Sequence, residues 1–198
     1  MLSSMTRRAA ATTVSLVLAF GAASAFAADA PKVRLATSEG DIVLELYPDK
    51  APKTVANFLQ YVEAKHYDGL VFHRVIDGFM IQGGGYDGKY SQRITRPPIQ
   101  HEGHVILEKG GPKNAVGTIA MARTSDPNSA TSQFFINVGN NTRLDPTPGS
   151  PGYVAFGKVV SGMEVVNKIK AMPTGPGGPF PTDVPQTPVV IKSATLVK

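Results

Sequence analysis

Alternating apolar and polar residues near the start of the chain predict a β-hairpin. The alternation runs through residues 33–37, the turn-forming residues 38–41 follow, and residues 42–47 continue it in a second strand. After a break at 48–52, apolar residues recur with helical spacing within 53–65, at Val55, Phe58, Leu59 and Val62. We interpret this stripe as facing the core of the domain, which is more common than a helix that binds a partner.

Short apolar segments separated by turn residues continue along the rest of the chain. They predict further strands at 118–122, 133–138 and 189–197, and one more helix at 163–170. Residues 86–98 and 173–188 are polar or rich in Pro and Gly, and we predict surface loops there. Many short strands with two helices, and no sign of an internal repeat or a second domain, favour a mainly β, closed antiparallel barrel.

The apolar run at residues 72–84 differs from the other segments because it carries two polar side chains, Arg74 and Gln82. It pauses at Asp77-Gly78, which predicts a turn between two strands. Burying an arginine on an apolar strand costs desolvation free energy, so such a residue usually has a charged or hydrogen-bonding partner or a functional role. Taken alone, Arg74 is typical of an edge-strand residue whose charged end reaches water.

This run reads F-H-R-V-I-D-G-F-M-I-Q-G-G and resembles the signature of the cyclophilin-type peptidyl-prolyl isomerases. Further matching blocks follow in the order that the family shows, at residues 117–123, 132–137 and 156–159. The resemblance extends from about residue 33 to the C-terminus. It implies an eight-stranded antiparallel β-barrel with one helix capping each end, and an enzyme that needs no cofactor and no metal.

The reaction of that family explains why a fixed cation would be useful. Rotation about an X–Pro peptide bond has a barrier of ~18–20 kcal/mol, because the C–N bond has partial double-bond character. In the twisted state the proline nitrogen becomes pyramidal and can accept a hydrogen bond. A hydrogen bond from a fixed donor to that nitrogen becomes stronger only in the transition state, which is the condition for faster turnover. The guanidinium of Arg74 suits this role because it stays charged and offers several donors.

The resemblance assigns roles to eleven residues. It implies a catalytic group of Arg74, Gln82 and Phe79, and a substrate-binding group of His73, Met80, Ala122, Arg123, Gln133, Phe135, Leu144 and Tyr153. The slot for the proline ring would consist of Phe79, Met80, Phe135 and Leu144, although each of these alone is typical of a core. Gln82 would hold the substrate backbone or brace Arg74. For His73 we expect a structural role, since the reaction requires no general base.

Residues 1–27 predict a cleavable export signal. Arg7 and Arg8 are followed by an uncharged apolar stretch, and small residues precede the predicted cleavage before Ala28. The stretch is short for a membrane span, although an uncleaved anchor is the alternative. We therefore expect residues 28–198 to form one isomerase domain in the periplasm, with secretion as the other possibility. Two arginines alone do not distinguish the general export route from the twin-arginine route.

Composition narrows the function classes. The net charge is +5, and it becomes +3 without Arg7 and Arg8; the remaining basic residues are scattered, which argues against nucleic acid as a partner. The chain has no cysteine, which excludes a disulfide scaffold and a thiol nucleophile and suits an oxidising compartment.

Two short motifs in the chain are incomplete. The glycine-rich residues 83–88 lack the helix that follows them in a dinucleotide-binding site, and residues 101–104 are one residue short of the H-E-x-x-H zinc motif. We interpret the histidines there as solvent-exposed loop residues.

The expected partners are proline-containing polypeptides that are unfolded or partly folded. We expect no nucleic acid, no membrane once the signal is removed, and a monomer. The alternative is a module that binds proline peptides, or a holdase, without appreciable catalysis. Retention of Arg74 favours the enzyme, because a binder would not need the donor to nitrogen. A hydrolase is disfavoured because no G-x-S-x-G motif is present.

Three features depart from the pattern of the family. Arg143 occupies the position before Leu144-Asp145 where members often carry a tryptophan, and the chain has no tryptophan. Residues 146–152 lengthen the connection to the last motif block. Tyr153 stands where eukaryotic members usually have a histidine, as in bacterial exported forms, and its hydroxyl remains able to bind substrate.

We predict weak inhibition by cyclosporin, the cyclic peptide that binds the missing indole in sensitive members of the family. The expected result of a direct titration with the purified protein is a dissociation constant well above the nanomolar range. A nanomolar dissociation constant would contradict the inference from Arg143.

Overall fold

The computed structural model describes residues 30–197, so the predicted signal peptide lies outside the described residues. The strands are β1 (Lys32–Thr37), β2 (Asp41–Leu46), β3 (Leu70–Ile76), β4 (Met80–Asp87), β5 (Thr118–Met121), β6 (Phe134–Asn137), β7 (Ala155–Ser161), β8 (Thr174–Gly177), β9 (Phe180–Pro185) and β10 (Ile191–Val197). The helices are α1 (Pro52–Glu63), α2 (Gly103–Glu108) and α3 (Met163–Lys170). In this part of the chain, none of them is long and apolar enough to cross a membrane.

Eight strands form one sheet in the order β10-β1-β2-β7-β5-β6-β4-β3, and all neighbouring pairs are antiparallel. The two edges approach each other where Val71 bridges to Val190. Beside this bridge, the Gly69 amide donates to the carbonyl of Ile191, the first residue of β10, at 2.8 Å, and the Phe72 amide donates to that of Val189 at 3.0 Å. The predicted mainly β fold with eight antiparallel strands is confirmed, but the barrel closes through these few hydrogen bonds and not through a full ladder.

Helices α1 and α3 lie at opposite ends of the sheet. Helix α1 follows the end of β2, whereas α3 packs against the β1–β2 turn, where a Cβ added to Gly40 would lie 2.8 Å from Val165. The predicted apolar stripe of α1 faces the core: Phe58 is fully buried and its ring centroid lies 5.6 Å from Phe134 and 5.3 Å from Phe156. Both predicted helices are confirmed to within two residues.

The loop predicted at residues 173–188 is wrong, because the segment contains the β8–β9 hairpin. Prolines are tolerated there because this ribbon has only two strands, so a proline can sit where its missing N–H is not needed. Phe180 anchors the hairpin to the main sheet: its ring centroid lies 5.4 Å from that of His73 and 5.0 Å from that of Tyr86. Proline content alone predicts a loop, whereas these long-range aromatic contacts stabilise a strand pair.

The expectation of exposed loop histidines at residues 101–104 is wrong in part. Residues Gly103–Glu108 form the short helix α2. His104 is exposed, but His101 is half-buried and its Nδ1 accepts a hydrogen bond of 3.0 Å from the Gly103 amide. Among residues 30–197, no group of three or more His, Asp or Glu side chains is arranged so that it could hold a metal ion.

The N-terminus of α1 is capped from a distant part of the chain. Its own N-cap residue, Ala51, has no side chain that can accept a hydrogen bond. The buried carboxylate of Glu102 accepts instead from the amides of Lys53 and Thr54, at 2.9 and 2.8 Å, and from the Thr54 hydroxyl at 2.7 Å. Two amides that the helix leaves without partners are thereby satisfied, and the negative charge complements the positive end of the helix dipole.

Candidate active site

The two faces of the sheet carry different apolar clusters. Along β6, Phe134 and Ile136 point into the barrel core, whereas Phe135 between them points outward, as the two-residue period of a strand requires. Along β4, Ile81 points inward and Met80 outward in the same way. The outward residues form a second cluster of Met80, Ala120, Phe135 and Ala155, separate from the core. The outer face of β4, β5, β6 and β7 therefore carries a small apolar cluster of its own, and its members are at most 5% exposed because partly buried residues pack over them.

An irregularity in β3 determines the direction of Arg74. Phe72 pairs with Gly83 and Arg74 with Gln82, so that two steps along β3 match one step along β4. His73 is the extra residue of a β-bulge. In a regular strand residues 72 and 74 would face the same side, but the bulge keeps Phe72 in the core and exposes Arg74 on the outer face.

A pocket of about 190 Å³ lies on this outer face. It is lined by Arg74, Phe79, Met80, Gln82, Ala122, Arg123, Phe135, Leu144 and Tyr153. The structure thus brings together nine of the eleven residues that the sequence singles out. The other two lie next to it: Gln133 accepts a hydrogen bond of 2.9 Å from the Gln82 amide, and His73 is buried behind Arg74.

Arg74 has one carboxylate near it in the described part of the chain. Its Nε lies 3.7 Å from Oδ2 of Asp183 in β9, and the Arg74 side chain is 45% exposed. Asp183 has a φ of 68°, an unusual conformation for a residue other than glycine. Because the contact is at Nε, the two terminal nitrogens of the guanidinium are left for a ligand. Sequence reasoning missed Asp183 because it lies in the segment predicted to be a loop.

A network of buried asparagines supports the pocket from behind, and sequence reasoning missed this network too. Nδ2 of Asn141 donates to the Phe79 carbonyl at 2.7 Å and to Oδ1 of Asn137 at 2.7 Å. Nδ2 of Asn137 donates in turn to Oδ1 of Asn114 at 3.2 Å, and Asn114 binds the carboxylate of Asp145. This network fixes the backbone of Phe79 relative to residues 142–145, and a buried, fully bonded polar network of this kind holds a unique geometry.

Two further arginines flank the pocket. The Arg123 guanidinium lies 4.5 Å from the centroid of the Tyr153 ring, and it donates to the carbonyl oxygens of Gly152 and Thr124. On the other side, the Arg143 guanidinium lies 5.1 Å from the centroid of the Phe79 ring. Both contacts are within the range of cation–π attraction. The rim of the pocket is therefore positively charged, whereas its floor is apolar.

The structure does not bring His73 to the pocket with the rest of the substrate-binding group to which the resemblance assigns it; His73 has the position of a structural residue. It is 2% exposed, and its ring centroid lies 4.7 Å from that of Tyr86. Burial lowers the pKa of the imidazole from its ordinary value of 6.5 to about 4. The backbone at Val71 opposes this shift, while the positive charge of Arg74 adds to it. His73 is consequently neutral at pH 7, and it joins the bulge of β3 to the β8–β9 hairpin.

Comparisons with known proteins agree with this fold and give the family. The profile of the family described as cyclophilin type peptidyl-prolyl cis-trans isomerase/CLD matches residues 32–196. The chain is 46% identical over 195 residues to peptidyl-prolyl cis-trans isomerase A of Dickeya dadantii, covering 98% of this chain and 100% of that protein. It is 48% identical over 163 residues to peptidyl-prolyl cis-trans isomerase B of Escherichia coli, covering 81% and 96%.

The structural comparison gives the same result. A crystal structure of a cyclophilin type peptidyl-prolyl cis-trans isomerase from Cryptosporidium parvum superimposes with a TM-score of 0.69 at 28% identity, covering 85% of this chain and 98% of that one. The structure of the same protein in the presence of the dipeptide Ala-Pro gives a TM-score of 0.68. The chain belongs to the cyclophilin-type peptidyl-prolyl cis-trans isomerase family, and its activity is that of an enzyme that interconverts the cis and trans forms of X–Pro bonds.

We predict that His73 makes stability depend on pH. The folded protein holds the imidazole neutral, with a pKa of about 4, whereas the unfolded chain takes up the proton near pH 6.5. The stabilisation is therefore fully present above about pH 6.5 and is lost as the pH falls towards 4. At pH 4.5 the loss should be about 2.5 kcal/mol.

The measurement is the free energy of unfolding in urea near pH 7.5 and near pH 4.5, for the wild type and for His73→Phe, which keeps an aromatic ring in this position. The decrease between the two pH values should be smaller in the variant by about 2.5 kcal/mol. An equal decrease in both proteins would show that His73 is not the group responsible.

Proposed function

We propose that Arg74 accelerates rotation about the X–Pro bond by donating a hydrogen bond to the prolyl nitrogen while the pocket holds the proline ring. The observation that carries this proposal is the position of an exposed guanidinium beside an apolar pocket, with its terminal nitrogens free of carboxylates in the described residues. The hydrogen bond becomes stronger only when the nitrogen turns pyramidal, so it lowers the barrier without equally stabilising the planar substrate.

The barrier to rotation can be lowered by the required amount if Arg74 supplies a hydrogen bond and the pocket positions the proline ring. A rate enhancement of roughly 10⁵ corresponds to about 7 kcal/mol. One charged donor is comparable to a donor of an oxyanion hole, which contributes ~3–4 kcal/mol. The remainder comes from positioning, because the ring is held between Phe79, Met80 and Phe135 while the rest of the peptide rotates. Asp183 lies 3.7 Å from Nε, within ion-pair range, and leaves the terminal nitrogens of the guanidinium to the substrate.

The polar residues of the pocket would hold the substrate backbone. Gln82 lies opposite Arg74 in the β3–β4 pair, and its side-chain amide is oriented by Gln133. Ala122 and Arg123 form the continuation of the pocket on the β5 side. We assign residues 122, 123 and 133 to the part of the substrate before proline, and Tyr153 to a supporting hydrogen bond or packing contact. Leu144 completes the apolar wall.

We further propose that the clients are exported proteins that fold in the periplasm, where the enzyme acts as a monomer. The export signal predicted at residues 1–27 and the absence of cysteine support this location. Unfolded chains expose many X–Pro bonds, and their uncatalysed isomerisation takes tens to hundreds of seconds, so an isomerase in that compartment would speed their folding.

Replacing Arg74 by Ala tests the mechanism. We expect kcat/KM for an X–Pro peptide, measured by exchange NMR, to fall about 10²- to 10³-fold, because the donor to nitrogen is lost. Thermal unfolding should change little, since the Arg74 side chain is 45% exposed. Arg34→Ala is the matched control: Arg34 is a similarly exposed strand arginine paired with Asp41, and it should keep full activity.

The outcomes separate the candidate functions. Full activity of Arg74→Ala would contradict the proposed role of the guanidinium. If the wild type binds the peptide without accelerating exchange, the protein is a binding module for proline peptides or a holdase.

We predict that the mature protein begins at Ala28. Expression of the full chain in a Gram-negative host, followed by fractionation and intact-mass measurement, should recover residues 28–198 in the periplasmic fraction. A cytosolic product that retains residues 1–27 would overturn the proposed location and leave the enzymatic proposal intact. A product found only in the medium would replace the periplasm with secretion.

A further inference from the structure

Arg143 differs from the other two arginines at the pocket because, among the described residues, it has neither a carboxylate nor a carbonyl oxygen as a partner. Arg74 lies beside Asp183, and Arg123 donates to the Gly152 and Thr124 carbonyl oxygens. Among residues 30–197, no carboxylate lies within 4.0 Å of the Arg143 guanidinium, and no acceptor forms a hydrogen bond with it. An exposed cation beside a binding pocket is thus left with five donors for a ligand.

Three carboxylates on the elements around the pocket are committed to other groups. Asp183 faces Arg74, and Asp77 in the β3–β4 turn lies 3.4 Å from Lys170. Asp145, only two residues from Arg143, accepts hydrogen bonds of 2.6 and 3.0 Å from the backbone and side chain of Asn114. None of these acidic side chains is available to neutralise Arg143, so its charge acts on whatever occupies the mouth of the pocket.

The backbone of Arg143 is held by its surroundings, and its side chain contacts Phe79. It is the middle residue of a short 3₁₀ turn, Thr142–Leu144, in which the amides of Leu144 and Asp145 donate to Asn141 and Thr142. Its guanidinium lies 5.1 Å from the centroid of the Phe79 ring, and Phe79 lines the pocket. The carbonyl of Phe79 is in turn held by Asn141. One rigid unit therefore carries both the wall of the proline slot and the free cation.

We infer that Arg143 is a specificity-determining residue that binds the carboxylate of an Asp or Glu close to the proline of the client. The inference rests on the proposed function of the pocket as the proline site. An extended peptide advances about 3.3–3.6 Å per residue, so a side chain one or two positions from a proline in the pocket lies within reach of the guanidinium. An arginine presents paired donors that match the two oxygens of a carboxylate. The overall positive charge of the chain favours the same class of client.

The expected preference is modest and sensitive to salt. Exposed ion pairs are weak, so an acidic peptide should bind about two- to fivefold more tightly than its neutral counterpart. The preference should shrink in 1 M salt, where the screening length is about 3 Å. A preference that persisted unchanged at high salt would overturn the ionic contact.

The test compares labelled peptides that contain one proline and differ only in a single residue, Glu, Gln or Lys. Two series place this residue directly after the proline or two positions before it. Binding is measured by fluorescence anisotropy and isomerisation by exchange NMR, for the wild type, Arg143→Gln, Arg143→Glu and Arg96→Gln. Arg96 is a matched control because it is an exposed arginine that contacts Gln60 of α1.

The inference is supported if the wild type prefers Glu over Gln in at least one series, Arg143→Gln abolishes the preference, and Arg143→Glu transfers it to Lys. Arg96→Gln should keep the preference of the wild type. Equal binding of the three peptides in both series, or a preference that survives in Arg143→Gln, overturns it. If peptides bind with the acidic preference but are not isomerised, the proposed catalysis fails while the assignment of Arg143 stands. If no peptide binds, both proposals fail.

Discussion

The bulge at His73 is the constraint on which the rest of the site depends. A β-strand can present only alternate residues to one face, yet β3 must bury Phe72 and Val75 and still expose Arg74 on the opposite face. The one extra residue makes this possible, and the imidazole that occupies it is buried against Tyr86 and Phe180. The stability of the core and the direction of the proposed catalytic cation are therefore set by the same backbone feature.

The structure also shows why the pocket lies outside the barrel. The inside is filled by large aromatic and branched side chains, which leave a closed core with no room for a peptide. The outer face of β4, β5 and β6 carries a smaller apolar cluster that the chain itself covers only in part. A flat apolar patch would be a liability for aggregation, but here it is recessed and bordered by Arg74 and Arg123, and Arg143 lies against the Phe79 ring. This arrangement supports the proposed role of the pocket in holding a small apolar ring within a polar chain.

Local patterns predicted much of this molecule. The β1–β2 hairpin, the stripe of α1 and the helix at 163–170 follow from periodicity, and the motif residues converge because they alternate on neighbouring strands. What sequence reasoning missed depends on contacts between distant segments. The β8–β9 hairpin is stabilised by Phe180 against residues of β3 and β4, and the cap of α1 is supplied by Glu102. Neither leaves a periodic signal, because the partners are 48 or more residues apart.

The pairing of β1 with β10 has a consequence for how this protein is made. Lys32 is opposite Val197, so the first described strand finds one of its two neighbours only in the last residues of the chain. During synthesis the sheet cannot be completed until almost the whole polypeptide is available, and one edge of β1 stays unpaired until then. A chain with this topology therefore leaves one side of its first described strand without a neighbour until β10 has been made.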